Sequence, residues 1–497
     1  MGLKGAIVDV EVDVRNTGLP NFDIVGLPDA AVREARERVV FALRNSGFEF
    51  PQHRVVVNLA PADLRKEGSM YDLPLALGIL HSSGQVVIKE ADNLLCLGEL
   101  SLDGQLRRVN GVLTMAISAR QEGFSRLLVP WGNYQEATLV EGLEVYAFLH
   151  LQDVIAYLKG ATVPQPESLD PSREPEDYHY DFAHIKGQVG AKRALEVAAA
   201  GGHNLLMVGS PGAGKTLLAR SLSTILPQLS FAEMLQITQI HSVAGLLPSR
   251  DALIRERPFR SPHHSISSAG LVGGGSVPRP GEISLAHYGV LFLDELPEFR
   301  RDILELLRQP LEDRLVTISR VHASYTFPAG FMLVASMNPC PCGYLGDAVR
   351  SCTCSVTEVR RYRRRISGPL LDRIDIQIDI PRLSYEELAA SGSEELSATI
   401  RQRVDQARHR QRERLGADAC NAQMPGREVR TICRLNAPAR ALMRASFEQL
   451  HLTARAHDRI LKVARTIADL EGSEDITPHH LAEAISYRNL DHSSVAS

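Results

Sequence analysis

The sequence predicts a multidomain α/β protein, with a mixed α+β domain first, a parallel α/β domain next and a helical domain last. Its 497 residues exceed what one hydrophobic core usually holds, and roughly 150 residues per domain gives about three domains. Apolar strands that lead into a loop and a helix recur between residues 185 and 337, as in parallel sheets. Arginine-rich helical segments follow Pro381.

The composition is typical of a folded globular protein. Hydrophobic residues make up 44% and charged residues 23%, which excludes disordered, collagen-like and coiled-coil proteins. A net charge of -4 gives no overall attraction to nucleic acid or membrane, so any DNA contact must use a local surface. No apolar run is long enough to cross a membrane and charged residues begin at Lys4, so we expect no membrane span, no signal peptide and a cytoplasmic location.

Residues 1–160 are predicted to form the α+β domain, and 161–180, rich in proline and acidic residues, to form a linker. In the first domain we expect strands at 6–14 and 54–59, a strand pair at 94–102, and helices at 29–46, 73–80 and 112–122, with Asp29 as an N-cap. The second domain, 181–382, has predicted helices at 191–200 and 215–225 and strands at 204–208, 289–294 and 331–337. The third, 383–497, has predicted helices at 393–415, 437–450, 454–470 and 478–487.

A glycine-rich loop between a strand and a helix predicts a nucleotide site. It matches the pattern G-x-x-x-x-G-K-[ST] with Gly209, Ser210, Pro211, Gly212, Ala213, Gly214, Lys215 and Thr216. Backbone N–H groups of such a loop and the following helix N-terminus bind phosphate oxygens. We expect ATP here, with Lys215 on the β- and γ-phosphates and the Thr216 hydroxyl on Mg²⁺. An ordinary glycine-rich turn is the alternative.

Polar residues end two later strands of the same domain. Asp294 and Glu295 follow an apolar strand, which would place Asp294 near Mg²⁺ and Glu295 where it polarises an attacking water. Asn338 closes the next strand and would orient that water. We therefore expect ATP hydrolysis, whereas capping acids and a turn-capping asparagine are the structural alternatives.

Four of the seven cysteines lie within fifteen residues, and they are Cys340, Cys342, Cys352 and Cys354. Thiolates bind Zn²⁺ tetrahedrally, so this cluster predicts a structural zinc site. The C-x-C spacing is tighter than usual, which leaves reduced thiols or an iron–sulfur or other metal site as alternatives.

The chain resembles the ComM/YifB family of magnesium-chelatase-like AAA+ ATPases over nearly its whole length. The segments that carry the resemblance are 257–264 (RPFRSPHH), 271–275 (LVGGG), 280–287 (PGEISLAH), 290–299 (VLFLDELPEF) and 367–375 (SGPLLDRID). The resemblance implies that 181–382 is an AAA+ ATPase domain, that 383–497 is its helical lid, and that subunits form a ring, commonly a hexamer. It also implies that Arg373 reaches into the adjacent subunit's ATP site and that Arg455 is the lid's sensor arginine. Surface ion pairs are the alternative for both, and Arg459 is a substitute for Arg455.

The family also places an insertion, here about 246–280, and a β-hairpin, here about 315–328, toward the central pore of the ring. Candidate DNA contacts are Arg250, Arg279, Arg314, Arg320 and His322, with solvated surface residues as the alternative. The basic block at 360–365 (RRYRRR) suits either a phosphate backbone or salt bridges between subunits.

The first domain is similar to the proteolytic domain of Lon-type peptidases at 66–70 (KEGSM) and 98–104 (GELSLDG). The Lon nucleophile and lysine fall at Met70 and Leu113, which cannot act as nucleophile or base, and Ser69 has no neighbouring base in the sequence. We expect a degenerate domain without peptidase activity that serves ring assembly or nucleic-acid guidance. The family's first strand is usually slightly longer, which suggests a trimmed N-terminus or a misplaced start.

Together these features predict an ATP-dependent, ring-forming DNA translocase or helicase that promotes branch migration in recombination and natural transformation. A second class stays open, an ATP-driven protein-remodelling chaperone of the magnesium-chelatase ATPase type without a DNA substrate. Both use ATP and Mg²⁺ in a homo-oligomer.

Overall fold

The computed structural model describes residues 2–15, 19–89, 94–167, 180–248, 252–275, 278–319, 324–389, 394–416 and 419–488. Its contacts divide the chain into two compact units. Unit 1 consists of residues 1–174 and 234–254, and unit 2 consists of residues 175–233 and 255–497.

Strands occur in both units. Those of unit 1 are β1 (Asp9–Val14), β2 (Asn21–Val25), β3 (Arg54–Ala60), β4 (Leu94–Cys96), β5 (Glu99–Leu100), β6 (Leu106–Arg107), β7 (Arg126–Pro130) and β8 (Glu144–Phe148). Those of unit 2 are β9 (Leu205–Gly209), β10 (Phe259–Arg260), β11 (Gly273–Gly274), β12 (Arg279–Pro280), β13 (Val290–Leu293), β14 (Leu315–Ser319), β15 (Ser324–Pro328), β16 (Met332–Met337) and β17 (Ile376–Ile380).

Helices separate most of the strands and fill the C-terminal part of the chain. They are α1 (Ala30–Asn45), α2 (Asp72–Ser82), α3 (Val112–Gln121), α4 (Tyr134–Ala137), α5 (Leu151–Leu158), α6 (Val189–Gly201), α7 (Lys215–Ile225), α8 (Phe231–Ala244), α9 (Ser268–Val272), α10 (Glu282–Leu285), α11 (Arg301–Glu305), α12 (Arg308–Asp313), α13 (Val356–Arg363), α14 (Gly368–Leu371), α15 (Tyr385–Ala389), α16 (Ser397–Leu415), α17 (Gly426–Ile432), α18 (Ala437–Gln449), α19 (Ala454–Glu471) and α20 (Pro478–Ser486). Across the described ranges, none of them combines the length and the apolar character that a membrane crossing needs.

Unit 1 contains two three-stranded sheets, ordered β1-β3-β2 and β4-β7-β8, and a hairpin of β5 and β6. β1 runs antiparallel to β3, while β2 runs parallel to it. Small and aliphatic residues along one side of α1 are buried, and Asp29 caps the helix by accepting a hydrogen bond from the Val32 N–H at 2.8 Å. The predicted helix and its N-cap are therefore confirmed.

Residues 234–254 fall inside the range 181–382 that was predicted for the second domain, but they lie in unit 1. Leu253 is buried with Leu113 and Leu139, and Met234 contacts the same cluster. The Ser242 hydroxyl also donates to the buried Glu136 carboxylate at 2.6 Å. Apolar burial and this hydrogen bond explain why the segment joins the N-terminal residues.

The main sheet of unit 2 has the order β10-β13-β16-β9-β17, and its strands are parallel. β9, β13 and β16 are buried along their whole length, as expected when helices cover both faces of a parallel sheet. This architecture confirms the predicted parallel α/β fold. The hairpin of β14 and β15 lies at the predicted position 315–328.

The C-terminal helices share a hydrophobic core with the main sheet. Val404 and Ala407 of α16 and Ile460 of α19 belong to the same buried cluster as Leu195 of α6 and Met207 of β9. Residues 383–497, predicted as a separate lid domain, therefore lie in one unit with the sheet. Their boundary as a domain stays a prediction.

A buried polar network also joins these helices to the sheet. Arg459 of α19 donates to Asp375 at 2.5 Å, and the other Asp375 oxygen lies 3.4 Å from Nδ1 of His203. His203 Nε2 in turn contacts the Thr466 hydroxyl of α19 at 2.8 Å. Burial alone would raise the pKa of Asp375, but Arg459 and His203 outweigh burial and hold this pKa well below its usual range. The carboxylate is therefore a charged link between α19 and the residues before β9.

Replacing Asp375 with alanine should lower the free energy of unfolding by about 3 kcal/mol, because the substitution leaves Arg459 without its buried carboxylate. The pKa of Asp375 is depressed in the folded state, so this stabilisation is present above an unfolded pKa of about 3.9 and fades as the pH falls further. Urea denaturation followed by circular dichroism at pH 7 and at pH 3 measures both effects.

The matched control is Asp302→Ala, which removes an exposed carboxylate paired with Arg300 at 2.6 Å. This substitution should change the free energy of unfolding by less than about 1 kcal/mol. Equal effects of Asp302→Ala and Asp375→Ala would contradict the structural role given to Asp375.

Candidate nucleotide-binding site

The order of the main sheet brings the predicted site residues to one edge. β9 pairs with β16, and β16 pairs with β13, all in the same direction. The phosphate-loop candidate follows β9, Asn338 follows β16, and Asp294 follows β13. Carboxyl ends of adjacent parallel strands form a crevice in which α/β proteins commonly bind ligands.

The loop from Gly209 to Thr216 connects β9 to α7, as the sequence predicts. Gly212 and Gly214 have φ values of 80° and 88°, a left-handed conformation that side-chain-bearing residues rarely adopt. The helix begins at Lys215, so its first free N–H groups face the loop. This arrangement suits an anion at the helix N-terminus.

The ammonium group of Lys215 lies inside the loop. It donates to the carbonyl oxygens of Gly209 at 2.6 Å and Ser210 at 3.0 Å, and to Oδ1 of Asn338 at 3.2 Å. Burial lowers the pKa of Lys215, whereas the charges of Asp294 and Glu295 raise it. The structure thus brings together the lysine and the asparagine that were predicted separately.

Three groups hold the Asp294 carboxylate. The Thr216 hydroxyl donates to Oδ2 at 3.1 Å, the Glu295 N–H donates to Oδ1 at 3.0 Å, and the buried Ser336 hydroxyl also donates to Oδ1. Adjacent oxygen ligands of octahedral Mg²⁺ lie about 2.9 Å apart, so Thr216 and Asp294 fit as a Mg²⁺ site. Sequence reasoning missed Ser336, because it lies within an otherwise apolar strand.

Glu295 lies beside this carboxylate in an unusual backbone conformation, with φ of 54°. Its side chain is 57% exposed, and Oε2 lies 3.9 Å from Nδ1 of His264. The His264 ring also contacts His263 with ring centres 4.0 Å apart. His264 belongs to the segment 257–264, and its nearness to Glu295 is a feature that the sequence did not predict.

Arg373 and Arg455, the two arginines predicted to serve an ATP site, do not join the residues around Lys215 and Asp294 of the same chain. Arg373 is 6% exposed, and its guanidinium donates to the Glu312 carboxylate and to the Pro369 carbonyl at 2.6 Å. Arg455 is exposed in the first turn of α19 and makes no ion pair with any described residue. Their proposed roles in a neighbouring site and in the lid stay predictions.

The four clustered cysteines meet in the loop after Asn338. The Sγ atom of Cys340 lies 3.4 Å from that of Cys342 and 3.6 Å from that of Cys352, and all four sulfurs lie within 4.8 Å of one another. Ligand sulfurs of a tetrahedral Zn²⁺ site lie about 3.8 Å apart. Backbone N–H groups of Thr353 and Tyr344 lower the pKa of the Cys342 thiol to about 5, whereas burial and the neighbouring thiols raise the pKa of Cys352 and Cys354. The donor set therefore fits zinc.

The predicted DNA contacts are placed only in part. Arg250, Arg320 and His322 lie outside the described residues. Arg279 is exposed in β12, and Arg314 is partly buried at the C-terminus of α12. In the basic block at 360–365, Arg365 forms an ion pair with Glu298 at 3.0 Å. One positive charge of the block is therefore paired within the chain.

Unit 1 buries the residues of the degenerate peptidase prediction to different extents. Leu113 is fully buried, and Met70 packs on a neighbouring apolar cluster. The Ser69 hydroxyl donates to the Glu99 carboxylate, and no described lysine or histidine contacts it. Ser69 consequently lacks the lysine partner of a Ser/Lys peptidase, and its hydroxyl is bonded to a carboxylate instead.

Three family models match the chain. They are described as "Subunit ChlI of Mg-chelatase" over residues 10–133, "Magnesium chelatase, subunit ChlI" over 181–388 and "Magnesium chelatase, subunit ChlI C-terminal" over 394–488. The chain is 44% identical over 494 residues to YifB of Escherichia coli (strain K12), covering 99% of this chain and 96% of YifB. It is also 44% identical over 500 residues to competence protein ComM of Haemophilus influenzae, with 99% and 96% covered.

The chain belongs to the ComM/YifB family. Membership in this magnesium-chelatase-related family indicates an AAA+ ATPase, in agreement with the parallel sheet and its loop. A partial match, 25% identical over 170 residues to Lon protease 2 of Bacillus subtilis, covers 31% of this chain and 30% of that protein. The Lon-like nature of residues 1–160 stays a prediction.

Ser336→Ala should raise the Mg²⁺ concentration needed for half-maximal ATP turnover about tenfold, because Asp294 loses the donor that orients its carboxylate. Steady-state ATPase assays over a Mg²⁺ series measure this change. Ser284→Ala is the control, since Ser284 is buried but its hydroxyl has no partner among the described residues. An unchanged Mg²⁺ dependence of Ser336→Ala would contradict the assignment.

Proposed function

We propose that the protein is an ATP-hydrolysing, ring-forming DNA translocase or helicase that promotes branch migration in recombination and natural transformation. The arrangement of Lys215, Thr216, Asp294 and Asn338 at one sheet edge carries the ATPase part of this proposal. Lys215 would bind the β- and γ-phosphates, and Thr216 and Asp294 would hold Mg²⁺, which neutralises phosphate charge when bound. Glu295 would act as the base for the attacking water.

Three further features support the hydrolytic role of Glu295. Its backbone N–H is fixed on Asp294, its carboxylate is accessible, and His264 lies within ionic range of that carboxylate. Asn338 holds the Lys215 ammonium, and in the proposed mechanism it would also orient the same water. Exposure keeps the carboxylate free to accept a proton.

In the proposed ring, Arg373 completes the ATP site of the neighbouring subunit. Its buried Nε has no hydrogen-bond partner among the described residues, although its two other nitrogens are bonded within the chain. Exchange of the Glu312 contact for a phosphate of the neighbour would couple assembly to hydrolysis, since an arginine supplied in trans accelerates phosphoryl transfer. Arg455, exposed on α19, is the proposed sensor of nucleotide in the lid.

Two observations support the DNA part of the proposal. One relative is named competence protein ComM, and some basic and polar side chains of unit 2 are exposed. Arg279 is exposed in β12, and the hairpin of β14 and β15 exposes Thr317, Ser319, Ser324 and Thr326. Loops that shift with each ATP cycle would contact the phosphate backbone and move along it.

A protein-remodelling chaperone without a DNA substrate is the second candidate. The family descriptions that name a magnesium chelatase subunit favour this alternative. In both cases we propose that residues 1–160 form a Lon-like domain without peptidase activity, because Met70 and Leu113 replace the reactive pair.

DNA binding separates the two candidates. The Glu295→Gln variant, which should retain ATP without turnover, is expected to shift a forked DNA in an electrophoretic assay. The affinity should fall at least about tenfold between 50 mM and 200 mM salt, since phosphate contacts release counterions. Lys215→Ala, unable to hold ATP, is the control. Absence of a shift at low salt would favour the chaperone.

We also propose that Cys340, Cys342, Cys352 and Cys354 bind one structural Zn²⁺ per chain. Cys352→Ser should reduce the zinc content measured by elemental analysis to less than about half, because three thiolates bind zinc more weakly than four. Cys433→Ser, at a buried cysteine outside the cluster, should leave the zinc content unchanged. Purified parent protein with four reactive thiols and little zinc would defeat the assignment.

A further inference from the structure

A second cleft of unit 2 lies at the sheet edge opposite the candidate ATP site. Its lining includes Gly202, Gly289 and Gly330, which precede β9, β13 and β16. These are the amino ends of the parallel strands, whereas the phosphate-loop candidate follows the carboxyl end of β9. The cleft is therefore separate from the residues assigned to ATP.

Four arginines line this cleft, and they are Arg257, Arg314, Arg408 and Arg412. Two carboxylates, Glu233 in the lining and the nearby Asp405, oppose these four charges. The cleft consequently has an excess of positive charge among the described residues.

Arg257 is a largely buried residue of the cleft lining and is held in place by backbone oxygens. It donates to the carbonyls of Pro227 at 2.6 Å and Tyr288 at 2.7 Å, and its side chain is 13% exposed. Glu233 lies 3.6 Å away, so its ion pair with Arg257 is longer than a hydrogen bond. The guanidinium is thus positioned without full neutralisation.

The other three arginines have no hydrogen-bonded carboxylate among the described residues. Arg408 donates to the Ala199 carbonyl at 3.0 Å, while its buried Nε has no partner there. Arg314 faces the thiol of Cys420, and Arg412 is exposed on α16. These guanidiniums retain donors that an anion can use.

Like charges at this density oppose one another. Burial lowers the pKa of Arg257, and the charges of Arg408 and Arg412 lower it further, although Glu233 acts in the opposite direction. Burial and the charge of Arg408 also lower the pKa of Arg314. An anion in the cleft would relieve this repulsion and accept several charge-assisted hydrogen bonds at once.

We propose that this cleft binds a phosphate or polyphosphate group at a site separate from the ATP site. Guanidinium groups match phosphate oxygens with paired donors, and four of them line this one cleft. The phosphate comes either from a free polyphosphate or from a nucleic-acid backbone. The proposal does not depend on hydrolysis of ATP.

Calorimetric titration of the full-length Lys215→Ala chain with inorganic pyrophosphate tests the site, because this background weakens binding at the phosphate loop. We expect one binding event, weakened roughly tenfold by Arg412→Gln through loss of a charge-assisted contact. Arg412 is exposed, so its replacement should not disturb folding. Arg444→Gln, which removes an equal charge from an arginine that is 82% exposed on α18, should bind like the background.

Absence of pyrophosphate binding would overturn the proposal, and so would equal affinities of the Arg412→Gln and Arg444→Gln chains. Competition with a single-stranded oligonucleotide distinguishes the two sources of phosphate. Displacement of pyrophosphate that depends on Arg412 identifies a nucleic-acid backbone, whereas retention of pyrophosphate identifies a free polyphosphate. Both of these outcomes support an anion site.

Discussion

The parallel alignment of β9, β16 and β13 is the constraint on which the candidate ATP site depends. These strands are buried on both faces, so the polar groups that follow them can meet only at the sheet edge. Lys215, Asn338 and Asp294 therefore become neighbours although more than a hundred residues separate the first from the second. The Asp294 carboxylate and the Lys215 ammonium are fixed in place by the fold, so the electrostatics of the site are preorganised before a ligand binds.

The C-terminal helices are tied to the same sheet by apolar burial and by Asp375. This residue lies two positions after Arg373 and bonds to Arg459 of α19. Displacement of α19 would therefore act on the segment that carries the arginine proposed to serve a neighbouring site. A shared hydrophobic core and a charged link together make these helices a structural extension of the sheet.

Local features of the site could be predicted from the sequence, whereas long-range partners could not. Periodicity and glycine placement located α7 and the loop before it, because these signals act over a few residues. β10 has two residues, too short for a periodic pattern, and Ser336 is hidden in an apolar strand. The Glu312 partner of Arg373 and the burial of Leu253 with Leu113 and Leu139 arise from tertiary contacts that no local pattern encodes.

The central claim is that an arginine from one subunit completes the ATP site of the next. Mixing equal amounts of Glu295→Gln and Arg373→Ala chains tests it most directly, since each variant alone should hydrolyse ATP at least about a hundredfold more slowly than the parent. Interfaces that join an intact Glu295 to an intact neighbouring Arg373 should restore roughly a quarter of the parental rate. No recovery after subunit exchange, or full activity of Arg373→Ala alone, would contradict the account.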